Sequence, residues 1–195
     1  MRIALFGGTF DPIHTGHLLL AEAARENFRL QRVIFVPAGQ PPHKKTPAAS
    51  AVHRLALVRL AIRGNPAFAA SDWEIRQSRI VYTYETLAHF TRQYPRDRWF
   101  FIIGSDSLRD IPRWRQGGRL LKQSRFLIVE RPGAEWRTVP VALRRRVRRV
   151  EAPAFPFASH EIRRKIRQGR SIRYQVPESV ERYIRSHRLY RRTPS

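Results

Sequence analysis

The chain has 195 residues, 38 Lys and Arg against 15 Asp and Glu, a formal net charge of +23, and no cysteine. That length suits one domain, expected over 1–195, with a substantial core. The missing cysteine excludes a disulfide scaffold, a thiolate nucleophile and a cysteine-based zinc site. No apolar run approaches a membrane span and no leader pattern precedes the first strand, so a soluble cytoplasmic protein without membrane partners is expected.

Nearly all the cations are arginine, and they are spread along the whole chain. Such an excess favours anionic partners. No zinc-finger or RNP-type motif accompanies it, so specific nucleic-acid binding is not expected. Trp136 to Arg149, which ends in the run Arg144-Arg145-Arg146-Val147-Arg148-Arg149, reads as a variable basic surface segment, helical in part.

The first twenty residues organise the rest. Arg2 to Phe6 reads as a strand, Gly7-Gly8 as a tight turn, and Thr15 to Phe28 as a helix. A helix start offers backbone N–H groups and partial positive charge to an anion. Glycines after the strand leave no Cβ to block a phosphate. His14 and His17, three residues apart, fall on one side of a helical turn. The dinucleotide pattern G-x-G-x-x-G and the ATPase pattern G-x-x-x-x-G-K-[ST] are both absent. A zinc site on the two histidines would need a third ligand from a distant Asp or Glu, because no H-E-x-x-H pattern is present.

The run Gly7-Gly8-Thr9-Phe10-Asp11-Pro12-Ile13-His14-Thr15-Gly16-His17 resembles the signature of the nucleotidyltransferase superfamily with its (H/T)-x-G-H motif. In detail it is similar to the G-G-T-F-D-P-x-H-x-G-H form of the nicotinate mononucleotide adenylyltransferase family. The resemblance implies an α/β, Rossmann-like, mostly parallel open sheet with helices on both faces and a small C-terminal helical part over about 159–190. It also implies ATP and nicotinate mononucleotide as substrates, with Mg²⁺ accompanying ATP and no protein-held metal. Gly7, Gly8, Thr9, Phe10, His14 and His17 would then contact ATP.

Further along, Arg32 to Pro37 reads as a buried strand, giving a βαβ unit. The proline-rich loop that follows contains Pro42-His43-Lys44, which resembles the family's P-H-K and implies that Lys44 contacts the acceptor and helps catalysis. Ser50 to Arg63 reads as an amphipathic helix with Leu55, Val58 and Ile62 inward and Arg54, Arg59 and Arg63 elsewhere. Phe68 to Ser71 reads as a short strand.

Val81-Tyr82-Thr83-Tyr84-Glu85-Thr86-Leu87 resembles the family's S-Y-T-x-D-T-L, with Val81 for Ser and Glu85 for Asp. Thr83 is expected to cap a helix to about Tyr94. That helix start would favour a pyridine carboxylate over a carboxamide, and the resemblance implies that Tyr82 and Thr83 bind the acceptor. Arg98 to Gly104 reads as a central strand, and ligands of open parallel sheets sit beyond such strand ends. Gly104-Ser105-Asp106-Ser107-Leu108 resembles G-x-D-[SA]-L, which implies ATP contacts at Gly104 and Asp106. Trp114 matches the family's nicotinate-stacking tryptophan.

Arg125 to Glu130 reads as a strand, and Arg131-Pro132-Gly133 resembles R-P-G, implying an acceptor contact at Arg131. Val150 to Ala154 reads as a last strand. Ser159-His160-Glu161-Ile162-Arg163 partly resembles S-T-x-I-R, with His160 for Thr. The match implies ATP contacts at Ser159, Ile162 and Arg163, with Ser159 capping the helix and Arg163 joining His14, His17 and Lys44 in catalysis. Other readings keep the fold and accept nicotinamide mononucleotide or another phosphorylated group, or discard catalysis for a basic nucleic-acid-binding module. Neither the oligomeric state nor the choice of acid over amide follows from the residues alone.

Overall fold

The computed structural model describes residues 1–41, 46–129, 136, 140–153 and 157–191, without the side chains of Asp106 and Arg109. In chain order the strands are β1 (Arg2–Gly8), β2 (Arg32–Pro37), β3 (Phe68–Ala70), β4 (Arg98–Gly104), β5 (Phe126–Val129) and β6 (Val147–Val150). The helices are α1 (Thr15–Asn27), α2 (Ala51–Ala61), α3 (Thr83–Gln93), α4 (Ser105–Asp110), α5 (Gly117–Gln123), α6 (Val141–Arg144), α7 (Ser159–Arg167) and α8 (Glu178–Ser186). A 3₁₀ turn, Ile111–Arg113, follows α4.

All six strands are parallel, in the order β3-β2-β1-β4-β5-β6. The order reverses between β1 and β4, so a crevice opens beyond their carboxyl ends. Phe6 pairs with Ile102, which brings Gly8 and Gly104, each two residues further on, side by side at its floor.

Strand alternation builds two cores, one per face. Ala4, Phe6, Phe35 and Ile102 pack with Leu20, Ala21, Leu57, Val58, Ile162, Val180 and Ile184 of α1, α2, α7 and α8. Ile3, Leu5, Phe101 and Ile103 pack with Leu87, Phe90, Leu108, Leu120 and Leu121 of α3, α4 and α5.

Three expectations shift. The last strand lies at Val147–Val150 rather than Val150–Ala154. Val147 and Val150 point inward while Arg148 and Arg149 are exposed, so the arginines hid a short edge strand. Gly7-Gly8 closes β1 rather than making a turn. Arg54, expected on the solvated side of α2, is only 1% exposed.

Candidate active site

The site begins where β1 ends. A Cβ on Gly7 would lie 2.8 Å from the Phe101 ring, and one on Gly8 would lie 2.9 Å from the Phe10 ring. Both glycines therefore make room for aromatic side chains, and neither has a left-handed φ. Phe10 does, at 51°. Its ring is buried, edge-on to Phe6 at 5.6 Å and to His17 at 5.2 Å, and this packing holds the loop over the sheet. The Asp11–Pro12 peptide is cis.

His14 is the N-cap of α1 and His17 is its third residue. Their rings stack at 3.6 Å between centroids with 25° between planes. The two imidazoles thus share one side of the first turn, as their spacing predicts. The N–H of His14 donates to Nδ1 of His17 at 3.2 Å, which leaves Nε2 of the neutral ring as the protonated nitrogen. The helix start is less open than the sequence suggests. Thr15 N–H donates to the Gln175 carbonyl at 2.9 Å, and His17 N–H donates to that of His14 at 2.9 Å.

A charged cluster behind the loop sets its shape. Both Asp11 carboxylate oxygens accept backbone N–H groups, from Ala48 at 2.8 Å and Ala49 at 3.1 Å. Arg163 donates to the Asp11 carbonyl at 2.6 Å and lies 3.7 Å from its carboxylate. The Ser159 hydroxyl donates to the Pro12 carbonyl at 2.9 Å. Ser159 is therefore the first helical residue, with Ala158 as N-cap, and does not cap α7. The Ile162 side chain is fully buried, and its N–H donates to Ala158 within the helix. Burial, reinforced by the charge of Asp11, pushes the Tyr190 phenol well above its usual range.

Arg54 ties this loop to the next one. Its guanidinium donates to the Thr9 carbonyl at 2.7 Å, to Ala38 at 2.6 Å and Gly39 at 3.1 Å, and to Ala49 at 3.3 Å. Burial lowers the Arg54 pKa from its ordinary value, while Asp11, Tyr190 and Glu74 pull it back. One side chain thus joins the loops after β1 and β2. Amphipathic periodicity assigns an arginine on α2 to solvent, so no linear signal pointed to it.

Across the crevice, Tyr82 and not Thr83 is the N-cap of α3, and its N–H donates to the Glu85 carboxylate at 2.9 Å. Thr83 is the first residue of the helix. The Arg115 guanidinium lies 5.1 Å from the Tyr82 ring centroid, so Tyr82 and the Trp114 loop are neighbours. Trp114 is half-buried and packs partly against the core under α4 and α5. Gly104, the last residue of β4 as expected, is also the buried N-cap of α4. Glu74 accepts the Thr86 hydroxyl at 2.6 Å, and burial pushes its carboxyl up to about 7. Its own backbone carbonyl lies 2.5 Å from where a Cβ on Gly39 would stand. Lys44, Arg131 and the side chain of Asp106 lie outside the described residues.

Among the described residues no three His, Asp or Glu side chains gather to hold a metal ion. None of those residues completes a zinc site around His14 and His17.

The cytidylyltransferase-like family model matches residues 5–167. A probable nicotinate-nucleotide adenylyltransferase of Thermomicrobium roseum is 45% identical, covering 97% of this chain and 92% of that protein. One of Thermus thermophilus is 44% identical, covering 98% and 100%. Among solved structures, Plasmodium falciparum nicotinic acid mononucleotide adenylyltransferase complexed with NaAD superposes with a TM-score of 0.82. It shares 20% identity over 97% of each chain, a likeness of fold.

Proposed function

The chain belongs to the cytidylyltransferase-like family, among the nicotinate-nucleotide adenylyltransferases, and from that premise we propose how its crevice works. The enzyme is a nucleotidyltransferase of NAD biosynthesis. It moves the adenylyl group of ATP to nicotinate mononucleotide, giving nicotinate adenine dinucleotide and pyrophosphate.

The attacking group is an oxygen of the mononucleotide's phosphate. It forms a bond to the α-phosphorus of ATP as the bond to the bridging oxygen of pyrophosphate breaks. A phosphate monoester carries about −1.5 to −2 charge near neutrality, so no protein base is needed. Catalysis then reduces to alignment and charge stabilisation. The observation that carries the reading is the stacked His14–His17 pair beside the β1–β4 crevice. With Nδ1 of His17 accepting a backbone N–H, its Nε2–H is the donor for a phosphate oxygen as charge moves to pyrophosphate.

Gly7, Gly8, Thr9, Phe10, Gly104 and Asp106 form the ATP side in this reading. Tyr82, Thr83 and Trp114 form the acceptor side, with Lys44 and Arg131. The Arg163 and Ser159 side chains hold the Asp11-Pro12 backbone, which supports a positioning role beside any phosphate contact. Mg²⁺ bound with the triphosphate would supply Lewis-acid charge there.

We further propose that 1–195 act as one domain, because Ile162 of α7 and Val180 and Ile184 of α8 share a core with α1 and α2. No helix among the described residues is long and apolar enough to cross a membrane. The reading places the reaction in the cytoplasm, where ATP and a mononucleotide meet as free solutes.

Pyrophosphate release from Mg-ATP, assayed with nicotinate and nicotinamide mononucleotides in turn, tests the assignment. Release with the acid, exceeding that with the amide, is expected. Release with neither, or preference for the amide, overturns it.

A further inference from the structure

The opposite edge of the sheet carries a second concentration of charge. There a cavity of about 800 Å³ opens at the amino ends of β1, β4, β5 and β6. Arg2 and Arg98, register neighbours on β1 and β4, line it, with Arg125 from just before β5. The connection from α6 into β6 adds Arg144, Arg145, Arg146 and Arg148. No acidic side chain is among the described residues that line it.

Seven guanidinium groups around one space repel each other, and counter-charge from within the protein would ordinarily relieve that. Among the described residues none of the seven makes an ion pair. The Nε atoms of Arg2 and Arg144 are buried with no hydrogen-bond partner among the described residues. A buried donor left without an acceptor is costly, more so when charged. The Arg2 guanidinium is held over the Phe100 ring, 5.5 Å from its centroid, which fixes a cation at the wall.

We propose that this cavity is a binding site for a short chain of linked phosphates. Guanidinium forks match phosphate oxygens in bidentate geometry, and closely spaced phosphates supply several such acceptors at once. The volume lies in the range of small-ligand pockets, so the occupant is compact. The site is separate from the catalytic crevice. Arg2 and Gly8 stand at opposite ends of β1, about 20 Å apart at the usual rise of a strand. The arginine run 144–149 thereby gains a role other than solvation: it forms one wall of the cavity.

The test is calorimetric titration of the full chain with sodium tripolyphosphate, beside the variant Arg98→Gln/Arg125→Gln/Arg146→Gln. All three replaced side chains are exposed. The wild type is expected to take up one more tripolyphosphate per chain than the variant, or to bind it at least about 100-fold tighter at that site. The variant's kcat/KM for ATP is expected to stay unchanged. Equal stoichiometry and affinity in the two proteins overturns the proposal. So does a parallel loss of kcat/KM, which assigns the bound ion to the catalytic site. A single-stranded oligonucleotide that displaces tripolyphosphate, with affinity rising with its length, also overturns it by showing an open nucleic-acid face. Hydrogen exchange on the wild type alone gives a second reading. Protection by tripolyphosphate over 144–148 is expected, and protection confined to residues 7–17 excludes the cavity.

Discussion

His17 accepts the backbone N–H of His14 through Nδ1 at 3.2 Å, and the same two side chains stack face to face. The contact occupies Nδ1 of His17 and holds its ring against that of His14. In the proposed mechanism a side chain so fixed is preorganised for charge that develops late in the reaction, when reorientation would be costly.

His17→Ala is expected to lower kcat at least about 100-fold, the usual cost of losing one such donor. The thermal unfolding midpoint should fall little, since Phe10 still packs on Phe6. Steady-state kinetics with melting curves check this, and a loss of tenfold or less removes His17 from the mechanism.

Arg54 bridges the loops after β1 and β2 through four carbonyls. Truncating it to alanine would leave several buried acceptors unsatisfied, at roughly 1–3 kcal/mol each, which endangers the fold. Arg54→Lys keeps the charge but cannot span both loops with one point-like head. The lysine variant should remain folded while kcat/KM falls on the order of 100-fold through misplacement of the reactants. Circular dichroism and kinetics decide, and wild-type kcat/KM in a folded Arg54→Lys protein would exclude the positioning role.

Gly39 lies against the Glu74 backbone, whose carbonyl would stand 2.5 Å from an added Cβ, closer than van der Waals contact allows. Gly39→Ala must displace the loop leading toward Lys44. The KM for nicotinate mononucleotide is expected to rise several-fold more than the KM for ATP. Equal effects on both substrates would contradict an acceptor-side role for this loop.

Glu74 has a carboxyl raised from 4.5 to about 7, chiefly by burial, with Arg54 and the Thr86 hydroxyl pulling it down and Glu85 pushing it up. A raised carboxyl holds its proton in the folded state after the unfolded chain has released it. Its contribution to stability is therefore full below about 4.5 and is lost as pH rises toward about 7. Glu74→Gln removes this proton and keeps an acceptor for Thr86. The denaturation midpoint of the wild type, relative to the variant, should fall as pH rises from about 5 to about 8. A difference that stays flat or rises across that window contradicts the shift.

Most of the fold was legible because it follows from local pattern. Continuous apolar runs such as Arg32–Pro37 and Arg98–Gly104 mark strands covered on both faces, and both appear with those limits. The run from Gly7 to His17 was legible as a strand end, a loop and a helix start with two imidazoles on one side, since all are adjacent in sequence. The edge strand β6 was obscured because its outward residues are arginines and only Val147 and Val150 report burial.

Sequence alone thus determined the parallel sheet and most of its strands and longer helices, from residues within a turn or two of each other. Tertiary structure alone decided what lies far apart in the chain yet in contact. It drew Arg54 out of solvent and onto the carbonyls of Thr9, Ala38 and Gly39, because only there can a buried cation find enough acceptors. It gave Gly7 and Gly8 their reason in the rings of Phe101 and Phe10. It gathered arginines from four strand starts around one cavity, a proximity that parallel pairing creates and no linear pattern records.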